Sequence, residues 1–400
     1  MSRRRRFMKN AYVISALRTP VGRAVKGTLR YTRPDELAAI VIREAVARSG
    51  VAPERLGDVI MGCAMPEGEQ GLNLARIAAF RAGLPNSVPG VTVNRFCASG
   101  LEAIVQASAR IQLGHAEAIV AGGVESMSLI PMGGNKVSLN PHLAAEYPES
   151  YVSMGNTAEN VATRYEVTRE EQDAFALDSH RKAAEAIEHH RFDDEIVPVA
   201  VTEKRINEKN KIEKTEIEFK VDECVRADST LEALAALKPV FRAGGTVTAG
   251  NSSPMNDGAS AAVVVSEELM KELGAEPLGR IVTYATVGVD PEIMGIGPAF
   301  ALPKAIEQAG LKLSDLGLIE LNEAFASQSV YVKRELGLSD EVLNVNGGAI
   351  ALGHPLGCSG AKLTATLLHE MKRRNVEYGA VTMCIGGGMG AAGIFQRISS

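Results

Sequence analysis

Three features of the sequence predict an α/β fold built from two similar halves. Short apolar segments alternate with segments of helical period, the same order of elements occurs twice, and the composition allows large cores. The chain has 400 residues, of which 46% are hydrophobic and 23% charged, which excludes a disordered chain. Aromatic residues make up only 4%, and glycine is abundant. This favours a tightly packed enzyme over a protein that stacks nucleic-acid bases on aromatic side chains.

Strands and helices alternate along the first half. Pro34 and Gly50 mark the two ends of a helix, because proline suits the first helical position and glycine the residue after the last. In chain order we predict strand 11–16, helix 35–49, strand 58–61, strand 91–93, helix 100–113 and strand 118–120, the last ending at Gly122–Gly123. Such alternation predicts a mostly parallel sheet.

Three pairs of segments indicate a divergent internal duplication. Segment 45–67 is similar to segment 305–326, and segment 116–123 is similar to segment 379–387. Segment 91–104 is similar to segment 343–348 followed by segment 359–365. Two similar halves that pack face to face would bring equivalent loops to a shared crevice near the carboxyl ends of the strands. The sequence therefore predicts an N-terminal half at 10–270 and a C-terminal half at 277–398.

An insertion interrupts the N-terminal half at about 125–255. It contains a helical segment at 169–186 and a charged run at 202–220. Because it is too long for a plain connection, we expect a loop domain that covers the crevice, with a solvated insertion as the alternative.

Charge, apolar segments and cysteines narrow the class of protein. The formal net charge is −5, and the one strong basic run, Arg3–Arg6, is interpreted as a solvated tail, so we expect no nucleic-acid partner. The sequence shows neither a signal peptide nor a run of about 18 apolar residues, so we expect no membrane insertion. The five cysteines form no CxxC pair, which argues against disulfides and a metal site and favours a cytoplasmic location.

Cys97 and His354 are the first two candidates for catalysis. Cys97 lies between a predicted strand and a helix that begins near Ser99, where backbone N–H groups favour the thiolate. The alternative is a buried cysteine that acts as a small hydrophobic residue. His354 lies on a loop rich in glycine, and Pro355 restrains its backbone, so we predict a site residue rather than a core residue.

Two further candidates follow predicted strands of the second half. Cys384 precedes a run of glycines whose N–H groups could form an oxyanion hole. Asn322 follows strand 318–321 and could hold a water or a substrate oxygen, or simply form a turn. Two thiols, an imidazole and an amide at one rim predict acyl transfer, in which one cysteine takes the acyl group and the histidine activates it.

The sequence resembles the thiolase family, and within it the bacterial degradative 3-ketoacyl-CoA thiolases. Motifs spread over residues 10 to 398 carry the resemblance: NRFCASGL at 94–101, GTVTAGNSS at 245–253, NEAFA at 322–326, NVNGGAIALGHPLGCSG at 344–360 and CIGGGMGAAG at 384–393. The resemblance implies a thiolase fold, in which two duplicated α/β halves form a five-layer αβαβα sandwich with an inserted loop domain. It also implies a homodimer or homotetramer.

The resemblance assigns a role to each candidate. Cys97 would carry the acyl group as a thioester, His354 would activate it, and Cys384 would be the second acid/base. Asn322, through a water and with His354, would form one oxyanion hole, and the N–H groups of Cys97 and Gly386 the other. CoA would be a co-substrate rather than a cofactor. Residues expected at CoA and the acyl chain are Arg226 near the adenine, Ser253 at the pantetheine, Met154 and Met294 in the acyl pocket, and also Ala249 and Phe325.

The reaction implied is cleavage of a 3-ketoacyl-CoA with CoA to acetyl-CoA and a shortened acyl-CoA, in fatty-acid β-oxidation. One alternative is an acetyl-CoA C-acetyltransferase that makes acetoacetyl-CoA, and another is a catalytically silent lipid-carrier subunit on the same scaffold. A decarboxylating ketoacyl synthase would want two histidines beside the cysteine, and one suitably placed histidine is visible. Ser153 stands where acetoacetyl-CoA thiolases typically carry histidine, which favours longer acyl chains.

Overall fold

The structure is a computed structural model that describes residues 9–206 and 210–398. The arginine run and residues 207–209 of the charged run lie outside the described residues. The strands, in chain order, are β1 Ala11–Arg18, β2 Gly22–Arg23, β3 Asp58–Gly62, β4 Gly90–Val93, β5 Ala118–Ser126, β6 Val199–Ile206, β7 Ile212–Phe219, β8 Asn256–Ser266, β9 Arg280–Gly288, β10 Leu316–Leu321, β11 Tyr378–Ile385 and β12 Met389–Gln396.

Helices connect and cover these strands. The α-helices are α1 Pro34–Ser49, α2 Leu74–Arg81, α3 Ser99–Gln112, α4 Pro141–Glu146, α5 Met154–Arg164, α6 Arg169–Glu188, α7 Leu231–Ala235, α8 Glu267–Leu273, α9 Gly297–Ala309, α10 Ala326–Leu336, α11 Ala349–Leu352 and α12 Leu356–Arg374. Short 3₁₀ helices are Pro53–Arg55, Gly68–Gln70, Phe96–Ala98, Pro148–Tyr151, Pro291–Ile296 and Leu313–Asp315. Within the described residues, no helix combines the length and the apolar character needed to cross a membrane.

Two large sheets and three layers of helices form a five-layer sandwich. Helices α1 and α2 cover the outer face of the first sheet, where Ile42 is fully buried. Helices α3 and α12 lie between the two sheets, and their Leu101 and Leu367 share one core with strands of both. Helices α9 and α10 cover the outer face of the second sheet, where Leu302 is buried. Each sheet is therefore apolar on both faces, which explains its long runs of buried residues.

Both sheets are mixed, so the expectation of a mostly parallel sheet is wrong. The first has the order β1-β8-β5-β3-β4, in which β4, β3 and β5 are parallel and β8 is antiparallel to its neighbours. The second has the order β10-β11-β12-β9, in which β10 and β11 are parallel and β12 is antiparallel to its neighbours. Only the turn 386–388 joins β11 to β12, and a turn that short cannot make a parallel crossover.

The two sheets repeat one pattern, which supports the duplication. Strands β3, β5, β8 and β1 pair in the same order and directions as β10, β11, β12 and β9. A parallel bridge from Ile319 to Leu343 takes the place that β4 has beside β3. Helices α3 and α12, which follow the equivalent segments, pack against each other at the centre.

Strand β5 does not end at its two glycines, as the sequence suggested, but runs on to Ser126. A Cβ at Gly122 would lie 2.0 Å from the Ser260 carbonyl oxygen, and one at Gly123 would lie 2.0 Å from the Gly357 carbonyl oxygen. These glycines therefore allow a close approach of β8 and α12 and do not act as a turn.

The insertion between β5 and β8 divides between both halves of the molecule. Helix α6 packs against α10 and α11, and α5 against α10. The hairpin of β6 and β7 instead buries Val199, Val201 and Phe219 in the outer core with α1. The expectation of a cover over the crevice is therefore wrong for the hairpin and stays a prediction for α5 and α6.

Candidate active site

Cys97 lies in a tight turn between strand β4 and helix α3. Phe96 has a φ of +44°, a left-handed value that is rare for a bulky residue and indicates a strained turn. The Phe96 N–H donates to Asn94 Oδ1 at 2.8 Å. The Arg95 N–H donates to Ser99 Oγ at 2.8 Å. These side-chain bonds hold the turn, and Cys97 is buried at the start of the helix.

His354 lies between α11 and α12. Gly353 precedes it with a φ of +95°, a conformation that suits glycine, and Pro355 caps α12. The His354 N–H donates to Asn256 Oδ1 at 2.8 Å. Leu356, two residues further on, belongs to the same small apolar cluster as Cys97, so the loop and the Cys97 turn pack together.

The hydrogen bonds of the His354 ring determine which nitrogen carries the proton. Ser359 Oγ donates to the Pro355 carbonyl at 2.8 Å, so its free lone pairs accept the proton of His354 Nδ1, 2.6 Å away. Nε2 is then unprotonated and faces Asn322 Nδ2 at 3.3 Å. Burial lowers the pKa of His354 to about 3, and the Lys362 ammonium contributes in the same direction. At neutral pH the ring is therefore a neutral base.

Cys384 and Gly386 lie at the end of β11, on the glycine turn that leads to β12. Backbone N–H groups of Gly386 and of Cys97 point at the Cys97 sulfur. Gly388, in the same turn, has a φ of +81°, and a Cβ there would lie 2.3 Å from the Val289 carbonyl oxygen. The glycine run therefore brings the turn close to the segment after β9 and aims one N–H at the thiol.

Both thiols are protonated at rest. Burial raises the pKa of Cys97 to about 12, against the lowering effect of the two backbone N–H groups. Burial also raises the pKa of Cys384, and the neighbouring Cys97 sulfur adds to the rise. The sequence argument that the helix terminus favours a Cys97 thiolate is therefore wrong for the resting site, because desolvation outweighs the N–H groups.

Two sets of contacts on neighbouring strands bring together the five predicted catalytic residues. The Gly386 N–H faces Cys97, and Cys384 is close enough to Cys97 for their charges to interact. The Asn322 N–H donates to the Thr382 carbonyl at 2.9 Å, which fixes the end of β10 beside β11. The Asn322 side chain then meets His354.

The residues expected at CoA and the acyl chain fall into two groups. Met294 and Ala324 form a buried apolar cluster with Cys384, and Met154 and Phe325 pack against it. The Ser253 N–H donates to the Ala324 carbonyl at 3.0 Å, so Ser253 borders this cluster.

Arg226 and Ala249 are exposed residues of the insertion. The Arg226 N–H donates to Nδ1 of the buried His180 at 3.2 Å, which fixes the backbone at this position. Burial, and next the Arg226 charge, lowers the pKa of His180 to about 4, so the ring is neutral and Nδ1 accepts.

Several residues that support the site were missed by sequence reasoning. Ser359 lies five residues after His354, in the first turn of α12, and no helical spacing connects the two because His354 precedes the helix. Asn256 precedes the apolar run of β8, and nothing local connects it to His354.

Glu125, fully buried at the end of β5, was missed as well. It accepts N–H bonds from Ala64 at 2.8 Å, Met65 at 3.2 Å and Gly357 at 2.8 Å, and thereby ties the loop after β3 to α12. Burial raises its pKa, while these N–H groups act to lower it.

The described residues contain no group of three His, Cys, Asp or Glu side chains placed to hold a metal ion.

Comparison with known proteins defines the class of this enzyme. The model of the thiolase N-terminal domain matches residues 11–268, and that of the thiolase C-terminal domain matches residues 275–397. The chain therefore belongs to the thiolase family and is an acyltransferase.

Relatives within the family carry two kinds of name. The 3-ketoacyl-CoA thiolase of Bacillus subtilis (strain 168) is 54% identical over 389 residues, which cover 97% of this chain and all of that protein. An acetyl-CoA acetyltransferase of Cupriavidus necator is 45% identical over 404 residues, with 98% of this chain and all of that protein covered. The crystal structure of the Bacillus anthracis acetyl-CoA acetyltransferase matches with a TM-score of 0.89 at 45% identity, covering 98% of this chain and 100% of that one. The thiolase fold expected from the sequence is thus confirmed.

Proposed function

We propose that the chain cleaves 3-ketoacyl-CoA with CoA to acetyl-CoA and a shortened acyl-CoA, through a thioester on Cys97. The observation that carries the proposal is the buried cluster in which two thiols, a neutral imidazole and an amide lie together with an N–H group aimed at one sulfur. This is the set that acyl transfer needs: a nucleophile, a base, a second acid/base and donors for a developing oxyanion.

In the first half-reaction, His354 Nε2 takes the Cys97 proton as the sulfur attacks the C3 carbonyl carbon of the substrate. The C2–C3 bond then breaks and its electron pair moves to the acetyl-CoA enolate. The Cys384 thiol gives its proton to C2, which releases acetyl-CoA and leaves an acyl group on Cys97. A neutral imidazole and two protonated thiols are the starting states that this sequence requires, and they are the states that burial favours.

In the second half-reaction, the Cys384 thiolate takes the proton of the incoming CoA thiol. The CoA sulfur attacks the Cys97 thioester, the shortened acyl-CoA leaves, and His354 returns its proton to Cys97. Negative charge on the thioester oxygens would be stabilised by the N–H groups of Cys97 and Gly386 at one position and by Asn322 with a water and His354 at another. Each such donor contributes roughly 3–4 kcal/mol to transition-state stabilisation.

CoA is proposed as a co-substrate, with no metal or redox cofactor, because it supplies its own thiol. Ser253 is proposed to contact the pantetheine, since it borders the cluster around Cys384. Arg226 and Ala249 are proposed contacts for the nucleotide end, which fits their exposure on the insertion.

The second candidate is the synthesis of acetoacetyl-CoA from acetyl-CoA. Two of the relatives at 45% identity are named acetyl-CoA acetyltransferase. We favour the degradative reaction, and with it fatty-acid β-oxidation, because Met154, Met294 and Phe325 give an apolar lining to the site and Ser153 is small.

The first test is thiolysis across 3-ketoacyl-CoA chain lengths, followed by the decay of the substrate enolate absorbance. We expect turnover of long chains as well as acetoacetyl-CoA, and turnover of acetoacetyl-CoA alone would instead support the acetyltransferase.

The second test is Cys97→Ala, which should lower thiolysis about 10⁴-fold or more and abolish the acylated peptide seen by mass spectrometry. Cys358→Ala is the matched control, because Cys358 is equally buried but lies outside the contacts above. Thiolysis by the Cys97→Ala enzyme at a rate close to wild type would overturn the thioester mechanism.

We further propose a cytoplasmic homodimer or homotetramer with halves at 10–270 and 277–398. The unpaired state of all five cysteines supports a reducing compartment. Strand β4 supports self-association, because it is an edge strand whose four residues are all partly exposed. Sedimentation velocity measures the assembly directly.

A further inference from the structure

Gln328 is a fully buried side chain next to the catalytic cluster, two residues into helix α10. One atom of its amide lies 3.2 Å from Cys384 Sγ. The side chain has little freedom, because Gly295 approaches so closely that a Cβ there would lie 2.6 Å from the Gln328 Cβ.

The neighbours of the amide determine its orientation. The atom near Cys384 is also 3.2 Å from the Asn322 carbonyl oxygen, which can only accept. The other amide atom is 2.9 Å from the Ser329 N–H, which can only donate. Donors meet acceptors only when the nitrogen faces Cys384 and Asn322 and the oxygen faces Ser329.

We propose that Gln328 is the positioning residue of Cys384, a role that rests on the thioester function proposed above. Its amide N–H groups bind the Asn322 carbonyl and stabilise the Cys384 thiolate. One N–H holds the residue whose side chain meets His354, and the second faces the sulfur. A single amide thereby couples the acid/base thiol to the residue proposed for the oxyanion hole.

The chemistry of Cys384 explains why it needs such a donor. When Cys384 accepts a proton from acetyl-CoA, the C2–H bond breaks, its electron pair moves to the enolate oxygen, and the thiolate becomes a thiol. The thiolate must therefore form in a fully buried site beside a second sulfur, and both conditions oppose it. An N–H donor favours the charged form, whereas a carbonyl oxygen at the same place would favour the thiol.

Two variants test this role. Gln328→Met keeps the size of the side chain and removes the donor, and Gln328→Glu keeps the shape and places an acceptor at the sulfur. Two readouts separate the roles of the two thiols. Deuterium uptake at C2 of acetyl-CoA in D₂O needs Cys384, whereas alkylation of Cys97 by iodoacetamide, followed by mass spectrometry of its peptide, needs no proton transfer at Cys384. We expect deuterium uptake to fall about tenfold or more in Gln328→Met, equal to one pKa unit or more of Cys384, with Cys97 alkylation within about threefold of wild type.

The pH profile adds a readout that a structural role would not change. In wild type, deuterium uptake should rise with pH as the thiolate forms, and in Gln328→Met that rise should move to higher pH. In Gln328→Glu, that rise should lie at a still higher pH than in Gln328→Met, because the ionised carboxylate repels the thiolate and raises the pKa of Cys384. Gln172→Met is the matched control, since Gln172 is equally buried but bonds Val167 and Thr246 on the insertion.

The outcomes distinguish this proposal from the function on which it rests. If wild type neither forms the thioester nor exchanges acetyl protons, the proposed function is wrong. If wild type does both, and the Gln328 variants lower deuterium uptake and Cys97 alkylation equally with an unchanged pH profile, Gln328 supports only the fold. Unchanged deuterium uptake in both variants would also overturn the positioning role.

Discussion

The Ser359 hydroxyl decides which face of the His354 ring can act as a base. It accepts the Nδ1 proton at 2.6 Å and leaves Nε2 free on the side of Asn322. Without this acceptor the two tautomers become closer in energy, and a buried N–H loses its partner. We expect Ser359→Ala to lower kcat for thiolysis about tenfold, equal to the net free energy of one hydrogen bond, with KM for CoA unchanged.

Thr364→Val is the matched control for Ser359→Ala. Thr364 is buried on the same helix, and like Ser359 it donates to the carbonyl four residues earlier. This control should lose a similar amount of stability in urea unfolding and keep its kcat. Equal losses of kcat in the two variants would show that the hydroxyl acts on the helix and not on the imidazole.

At this same scale, residue type and spacing predicted which side chains meet but not their ionisation. The motifs place Cys97, Cys384 and Asn322 near the ends of strands and His354 on a loop rich in glycine; in the structure Asn322 meets His354, and Cys384 lies beside Cys97. The protonation state of Cys97 depends on its desolvation, which is created by segments distant in sequence, among them Leu356. No local pattern contains that information.

Among the elements, the internal repeat predicted that three segments of the first half have equivalents in the second. It could not predict strand direction, because an apolar run is the same in a parallel and an antiparallel sheet. Strand β8, which follows the insertion, was not predicted at all, although all of its residues are buried. Its position between β1 and β5 is set by contacts across the sheet.

The turn between β11 and β12 shows how one element can control the site. Gly388→Ala would place a Cβ 2.3 Å from the Val289 carbonyl oxygen, so the backbone must shift. The Val289 N–H donates to the Gly388 carbonyl at 2.8 Å, and the shift would reach both the Gly386 N–H and the segment that leads to Met294. We expect thiolysis to fall about 100-fold, as for the loss of an oxyanion-hole donor.

Gly387→Ala separates this effect from backbone strain. Gly387 has nearly the same φ, +80°, but open space around its Cβ position. Both variants should lose about 1–2 kcal/mol of stability from the left-handed conformation. Gly387→Ala should keep thiolysis within about threefold of wild type, and a loss as large as that of Gly388→Ala would refute the steric argument.

At the scale of the whole molecule, Arg18 joins three parts of the chain at one buried point. Its guanidinium binds Asp222 at 2.8 and 2.9 Å and Glu195 at 2.5 Å. Arg18 ends β1, the two carboxylates belong to the insertion, and Glu195 also accepts the Thr366 hydroxyl of α12 at 2.8 Å. This point fixes the insertion to the sandwich on the side where Cys224 meets Asn256, the residue that holds the His354 N–H.

Removal of Arg18 should therefore weaken the whole molecule. Arg18→Met leaves two buried carboxylates without the guanidinium that pairs them, and we expect a loss of about 3–5 kcal/mol in the free energy of unfolding, measured in urea. Arg181→Met is the control: it removes an exposed, ion-paired arginine on α6 and should change the free energy of unfolding by less than about 1 kcal/mol. The triple variant Arg18→Met, Glu195→Gln, Asp222→Asn keeps acceptors for the Thr366 hydroxyl and the Val21 N–H and removes the unpaired charges. The triple variant should regain most of the free energy of unfolding that Arg18→Met loses. If it is as unstable as Arg18→Met, packing around the guanidinium, and not its charge, holds the insertion in place.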